Sequence, residues 1–134
     1  MYSTIAEKEI DLSIRNKTYQ FFFENKYPGN HSFQIYVEKN KSISDKKIPN
    51  TKLKLEVFEG KQLILKKFIE KKDFSPFMSY FPKRKGFILF LYKVPKDLPR
   101  GKKLKASITI LEEDKLYLDN FGKISFAIQK KSDE

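Results

Sequence analysis

The sequence predicts an all-β protein: an antiparallel β-sandwich of about seven to eight strands, immunoglobulin-like or jelly-roll-like. Three observations carry that expectation. Apolar and polar residues alternate with period two in stretch after stretch, while helical periodicity is almost absent. Clusters of Gly, Pro, Asn and Asp separate those stretches. Finally, Gly86-Phe-Ile-Leu-Phe-Leu-Tyr92, closed by Pro95, is an apolar run too short to span a membrane and too aromatic and branched for a helix. It reads as a central strand covered on both faces, whose burial contributes roughly 10 kcal/mol before entropy. A small closed barrel is the runner-up architecture.

In chain order, residues 10–14 alternate as a first strand and Arg15 to Lys17 form a turn. Residues 18–24 form a strand with Tyr19, Phe21 and Phe23 on one face. The Pro28-Gly29 pair marks a loop, and residues 32–37 put Phe33, Ile35 and Val37 on one side. Residues 38–50 are polar and form an exposed connection. Leu53, Leu55 and Val57 alternate in the next strand, which turns at Glu59-Gly60 into residues 62–65, a hairpin. Ser75-Pro76 offers a capping serine and a first-turn proline, so one short helix is expected near 75–81. After the strand at 86–92, Asp97 to Gly101 turn the chain into the clean alternation of Leu104, Ala106, Ile108 and Ile110. Glu112 to Asp114 break the pattern and read as a solvated hairpin. Asp119 to Gly122 turn again, and Ile124, Phe126 and Ile128 mark the last strand. The 134 residues make one domain, with 1–8 and 130–134 expected to fray.

Thirteen Phe and seven Tyr supply a core suited to sheets, and the absence of cysteine excludes disulfides, thiol chemistry and thiolate metal sites. Residues 1–6 carry no basic region followed by an apolar run, so no signal peptide is read there. The net charge of +11 is concentrated: residues 39–105 hold twenty Lys and Arg against six Asp and Glu, a balance of +14. Such a segment attracts acidic partners. Lysine dominates over arginine, which weakens a nucleic-acid reading based on bidentate contacts.

Little points to catalysis. His31 is the single histidine, it stands between a turn asparagine and a strand, and no serine sits in a nucleophile elbow, so it reads as an ordinary loop residue. Arg100-Gly-Lys-Lys103 lacks the earlier glycine and the Ser/Thr of a phosphate loop and reads as a turn. Glu112, Glu113, Asp114 and Asp119 do not match the spacing of a calcium loop. The three Asn-X-Ser/Thr sequences, at Asn16, Asn30 and Asn40, read as coincidence. No catalytic, cofactor or metal residue is assigned. A carbohydrate-binding or carbohydrate-active module lacks its usual tryptophan platform.

The unusual stretch is residues 71–85, where Phe74, Phe77, Met78, Tyr80 and Phe81 are interleaved with Lys71, Lys72, Lys83, Arg84 and Lys85. Aromatic, methionine and arginine side chains are enriched at the centres of protein interfaces. Partner binding is therefore assigned to Lys71, Lys72, Phe77, Tyr80, Phe81, Lys83, Arg84, Lys85, Arg100, Lys102 and Lys103. The plainer reading is that the aromatics plug one end of the sandwich while the lysines stay wet.

The order of features, from Ile10-Asp-Leu-Ser through the aromatic strands at 19–23 and 33–37, Leu53-Lys-Leu-Glu-Val57 and the Leu98-Pro-Arg-Gly101 turn, resembles the small β-sandwich domains of uncharacterised bacterial exported lipoproteins. Some of those are encoded beside secreted toxins and are thought to act as immunity proteins. The resemblance implies a lipidated cysteine upstream of Met1 and a periplasmic or outer-membrane-anchored location; if Met1 is the native start, the location is cytoplasmic. The expectation is a non-enzymatic module that recognises an acidic protein, such as a secreted toxin, through its basic and aromatic surface. Anionic lipid headgroups or single-stranded nucleic acid are the alternative ligands for the same patch.

Overall fold

The computed structural model describes residues 3–24, 29–38, 48–80, 83–94 and 102–130, the side chains at 3, 4, 79, 80, 83, 93 and 94 excepted. These residues form nine strands: β1 (Ser3–Ile10), β2 (Thr18–Glu24), β3 (Gly29–Val37), β4 (Lys52–Glu59), β5 (Gln62–Ile69), β6 (Ser75–Tyr80), β7 (Lys83–Val94), β8 (Lys103–Glu112) and β9 (Ile124–Lys130). They build two sheets, a five-stranded one in the order β1-β9-β3-β7-β6 and a four-stranded one in the order β2-β8-β4-β5. Every neighbouring pair runs antiparallel. The result is an antiparallel β-sandwich with open edges rather than a closed barrel.

The period-two pattern explains which face of each strand is buried. Phe33, Ile35 and Val37 of β3 meet Leu53, Leu55 and Val57 of β4 and Ala106, Ile108 and Ile110 of β8 in one core cluster. Phe87 lies at the centre of the aromatic part of that core, edge-on to Phe74 and to Phe121 at ring separations of 5.8 and 6.1 Å. Such edge-to-face pairs add to simple area burial.

Several expectations are corrected. The first strand ends at Ile10 rather than beginning there. The Asp11 carboxylate accepts from the Ser13 N–H at 2.8 Å, and this local bond turns the chain before a strand can continue. Residues 3–8 belong to β1, which pairs with β9 apart from a register shift between Thr4 and Ala6. The strand at 86–92 is not central. It lies within β7, second from the sheet edge, and Leu91 is 60% exposed. The central strand is β3, eight of whose nine residues are buried. No helix forms over 75–80. These residues pair with β7 as the edge strand β6, where Pro76 is tolerated because an edge strand needs no ladder N–H on its free side. The short helix, α1, is instead Tyr117–Phe121, where a turn was expected. Asp114 is buried rather than solvated: its carboxylate accepts from the N–H groups of Asn50 and Leu116 at 2.9 and 3.1 Å. His31 is no loop residue either. It lies in β3, 1% exposed, its Nδ1 2.9 Å from the Gly29 carbonyl and its ring 5.2 Å from that of Tyr92.

Gly86 is required by space. A Cβ there would overlap the Ile35 carbonyl oxygen of the neighbouring strand. Gly86 faces Tyr36 on β3 and Phe77 on β6, and without a side chain between them those two rings meet edge-on at 5.6 Å.

Among the described residues, the buried Tyr92 hydroxyl has no hydrogen-bond partner, and its burial raises the hydroxyl well above the usual tyrosine range. Burial, and then the Asp11 carboxylate, push Tyr117 up to about 12. Because the folded pKa of each tyrosine lies above its unfolded value near 10, the unfolded chain ionises first and the fold loses stability as pH rises above 10. Tyr92→Phe removes an unpaired buried polar atom and is expected to stabilise by about 1 kcal/mol. It is also expected to flatten part of the alkaline decline. Urea unfolding midpoints of both proteins, at about pH 8 and about pH 11, measure the two effects together.

Candidate binding face on the four-stranded sheet

The residues singled out in the sequence do not gather into one patch. Lys71 and Lys72 lie in the single 3₁₀ turn (Lys71–Asp73) that carries the chain from β5 to β6. They line a shallow groove of about 240 Å³ together with Asn50, Thr51, Lys52, Glu70 and Glu112. Lysines and glutamates largely answer one another there: Lys52 sits 3.7 Å from Glu70 and 3.4 Å from Glu112, and Lys72 sits 3.7 Å from Glu70.

Arg84 lies on the outer face of the five-stranded sheet and is committed internally. Its two terminal nitrogens donate to the Glu7 carboxylate at 2.9 and 2.8 Å, while its guanidinium lies 3.5 Å from the centre of the Tyr36 ring. The bond to Arg84 holds the Glu7 carboxyl below its ordinary value. Phe77 packs on Tyr36 beside it. Beyond Tyr36 this face carries a chain of buried polar side chains, Ser32 donating to Gln34 at 2.6 Å and Gln34 donating to Gln129 at 2.8 Å. Lys85 is half-buried and Lys102 pairs with Glu59. Tyr80 and Lys83 stand in β6 and β7 with their side chains outside the described residues; Phe81 and Arg100 lie outside them entirely.

Lys103 leads to a surface that sequence reasoning missed. On the outer face of the four-stranded sheet, Phe22 of β2 pairs with Lys105 of β8, Lys105 with Phe58 of β4, and Phe58 with Leu63 of β5. This is one continuous row across all four strands, about 14 Å wide at the usual strand spacing. A parallel row runs Thr18, Thr109, Lys54, Phe68. Phe22 and Phe68 are 62% and 56% exposed.

Each ring on this face carries a cation. The Lys103 ammonium lies 4.8 Å from the Phe22 centroid, Lys105 lies 5.1 Å from Phe58, and Lys66 lies 5.3 Å from Phe68. All fall within cation–π range. Lys54 is neutralised by Glu56 at 3.5 Å. Lys66, Lys103 and Lys105 have no carboxylate at ion-pairing distance among the described residues. The face therefore presents apolar rings together with three lysines held in no close ion pair among the described residues, although Glu56 and Glu24 stand opposite Lys66 and Lys103 in the ladders. Part of the signal was in the sequence: Phe22 and Phe58 fall on the polar phase of their strands' alternation, whereas around Phe68 the alternation has lapsed. What the sequence withholds is the strand order that assembles them.

Among the described residues, no group of three or more His, Asp or Glu side chains is placed to hold a metal ion, and no helix is long and apolar enough to cross a membrane.

Sheet order and open faces define the protein as a β-sandwich whose distinctive chemistry is displayed on a sheet surface. No family model and no curated protein matches the chain. Among solved structures, it is similar to a protein of Sulfurospirillum deleyianum at a TM-score of 0.64 and 8% identity, covering 96% of this chain and 98% of that one. That likeness extends over the whole fold and speaks to the fold alone. Looser alignments, with TM-scores of 0.40 and 0.30 and identities of 13% and 12%, link it to a 4-O-methyl-α-glucuronidase with specificity for decorated arabinogalactans and to dimeric latent PorU from Porphyromonas gingivalis. In both cases 98% of this chain aligns, with 16% and 13% of the other chain respectively.

Proposed function

We propose that this protein is a non-enzymatic binding module that recognises an acidic protein partner through the outer face of its four-stranded sheet. The observation that carries the reading is the set of three phenylalanine rings on one open face, each with a lysine ammonium over it. Exposed aromatic side chains supply the desolvated anchors of an interface, and lysines held in no close ion pair steer a negatively charged surface onto them. A toxin met in the periplasm is one such partner, in keeping with the exported, immunity-type setting that the resemblance implies.

Rings exposed on a sheet also suit stacking of unpaired bases. Two features favour protein instead: the ring faces are already engaged by ammonium groups, and the cations on this face are lysines rather than bidentate arginines.

Fluorescence anisotropy with three labelled probes separates the readings: an acidic peptide containing phenylalanine and leucine, oligothymidine, and phosphatidylglycerol vesicles. The acidic peptide is expected to keep measurable affinity when salt is raised from low to physiological, because part of its contact is apolar. Binding of the two polyanions is expected to collapse. Persistent oligothymidine or vesicle binding together with a silent peptide would reassign the face.

A further inference from the structure

We infer that the free edge of β5 is a strand-addition site that accepts an extended acidic segment of the partner; this rests on the function proposed above. The sandwich has four edges, β1 and β6 on one sheet and β2 and β5 on the other. Three of them are poor templates. The β6 edge is short and contains Pro76, the β1 edge is interrupted by a register shift and carries charges of both signs, and β2 ends in the acidic Glu24.

The edge of β5 is longer than that of β6 and, unlike those of β1 and β2, carries no acidic residue; its pairing with β4 has a register shift of its own, at Ile64. Gln62–Ile69 runs for eight residues, six of them exposed, and no described strand pairs with its outer side. Leu63, Ile64 and Phe68 are 43%, 46% and 56% exposed. Between Gln62 and Ile69 there is no acidic residue, while Lys66 and Lys67 stand side by side on opposite faces. A row of backbone donors and acceptors, flanked by apolar side chains and two cations, matches a strand with carboxylates opposite those lysines and apolar residues opposite Leu63, Ile64 and Phe68. A second copy of this chain fits poorly, because antiparallel self-pairing of the whole edge sets Lys66 opposite Leu65 and Lys67 opposite Ile64 and offers neither a carboxylate. A strand added here would extend the Phe68 row, so that backbone pairing and the aromatic–cation face engage one partner.

Amide exchange by NMR tests this, using a short Val/Thr peptide with two adjacent glutamates at its centre and the same peptide N-methylated at alternate amides. Alternate amides of Gln62–Ile69, those aimed at the free edge, are expected to gain protection with the unmodified peptide. N-methylation removes two or three strand hydrogen bonds and is expected to weaken binding about tenfold or more. If the peptide perturbs Phe22, Phe58 and Phe68 while β5 exchange is unchanged and N-methylation is harmless, strand addition is overturned and the binding face stands. Concentration-dependent protection of β5 without peptide would assign the edge to a second copy and overturn the inference. Absence of any perturbation by either peptide overturns both readings.

Discussion

Phe87→Ala is expected to remove about 3–5 kcal/mol of stability, the cost of emptying a large, fully enclosed aromatic site. Phe87 is completely buried and lies between the edges of Phe74 and Phe121, so its loss deprives two further rings of their partner. The surroundings relax little. β7 is held on one side by β3 and on the other by β6, and the adjacent Gly86 leaves no slack against the Ile35 carbonyl. Set against a total of about 5–15 kcal/mol for a domain, such a loss leaves a marginal protein. At about 4 °C per kcal/mol, the melting temperature should fall by roughly 12–20 °C in calorimetry. Phe87→Leu, which keeps most of the volume, is expected to cost far less. Equal melting temperatures for wild type and Phe87→Ala would mean that this aromatic cluster does not organise the core.

Reversing Lys66, Lys103 and Lys105 together to glutamate is expected to have the opposite profile. Stability should fall by only about 1–2 kcal/mol: each substitution removes one cation–π contact on a sheet surface, and the carboxylates introduced at 66 and 103 stand opposite Glu56 and Glu24. Association with the acidic peptide should slow about a hundredfold at low salt and by much less at high salt, because steering acts before contact and is screened. Stopped-flow association rates across a salt series read this directly. Arg84→Glu serves as the contrast. It breaks the bidentate bond to Glu7 and the contact with Tyr36, so it should cost stability and leave association on the opposite sheet unchanged. A triple variant that binds at the wild-type rate would remove the lysines from recognition.

Much of the architecture was legible because burial imposes period two. Leu104, Ala106, Ile108 and Ile110, like Leu53, Leu55 and Val57, are inward where alternation puts them, and the hairpin at Gly60 has a positive φ of 60°. The misreadings have local causes. Three consecutive charges, Glu7, Lys8 and Glu9, mask β1, whose strand character comes from pairing with β9. Ser75-Pro76 carries the signature of a helix start, but Ser75–Tyr80 is held extended by its pairing with β7, where Pro76 stands opposite Phe87. The binding face was partly visible, through Lys103 alone. Clustering along the chain drew attention to residues 71–85, whose described members the fold sends to a turn, an edge strand and an internal ion pair. Phe22, Phe58 and Phe68 are far apart in sequence and become neighbours only through the order β2-β8-β4-β5.

The most direct measurement is the amide chemical-shift map of the protein titrated with the acidic aromatic peptide. The largest changes should fall on the outer-face positions of β2, β8, β4 and β5, centred on Phe22, Lys105, Phe58 and Phe68, with the Tyr36–Arg84–Glu7 side quiet. Changes centred on Tyr36 and Arg84, or on the groove beside Lys71 and Lys72, would contradict recognition by the four-stranded sheet.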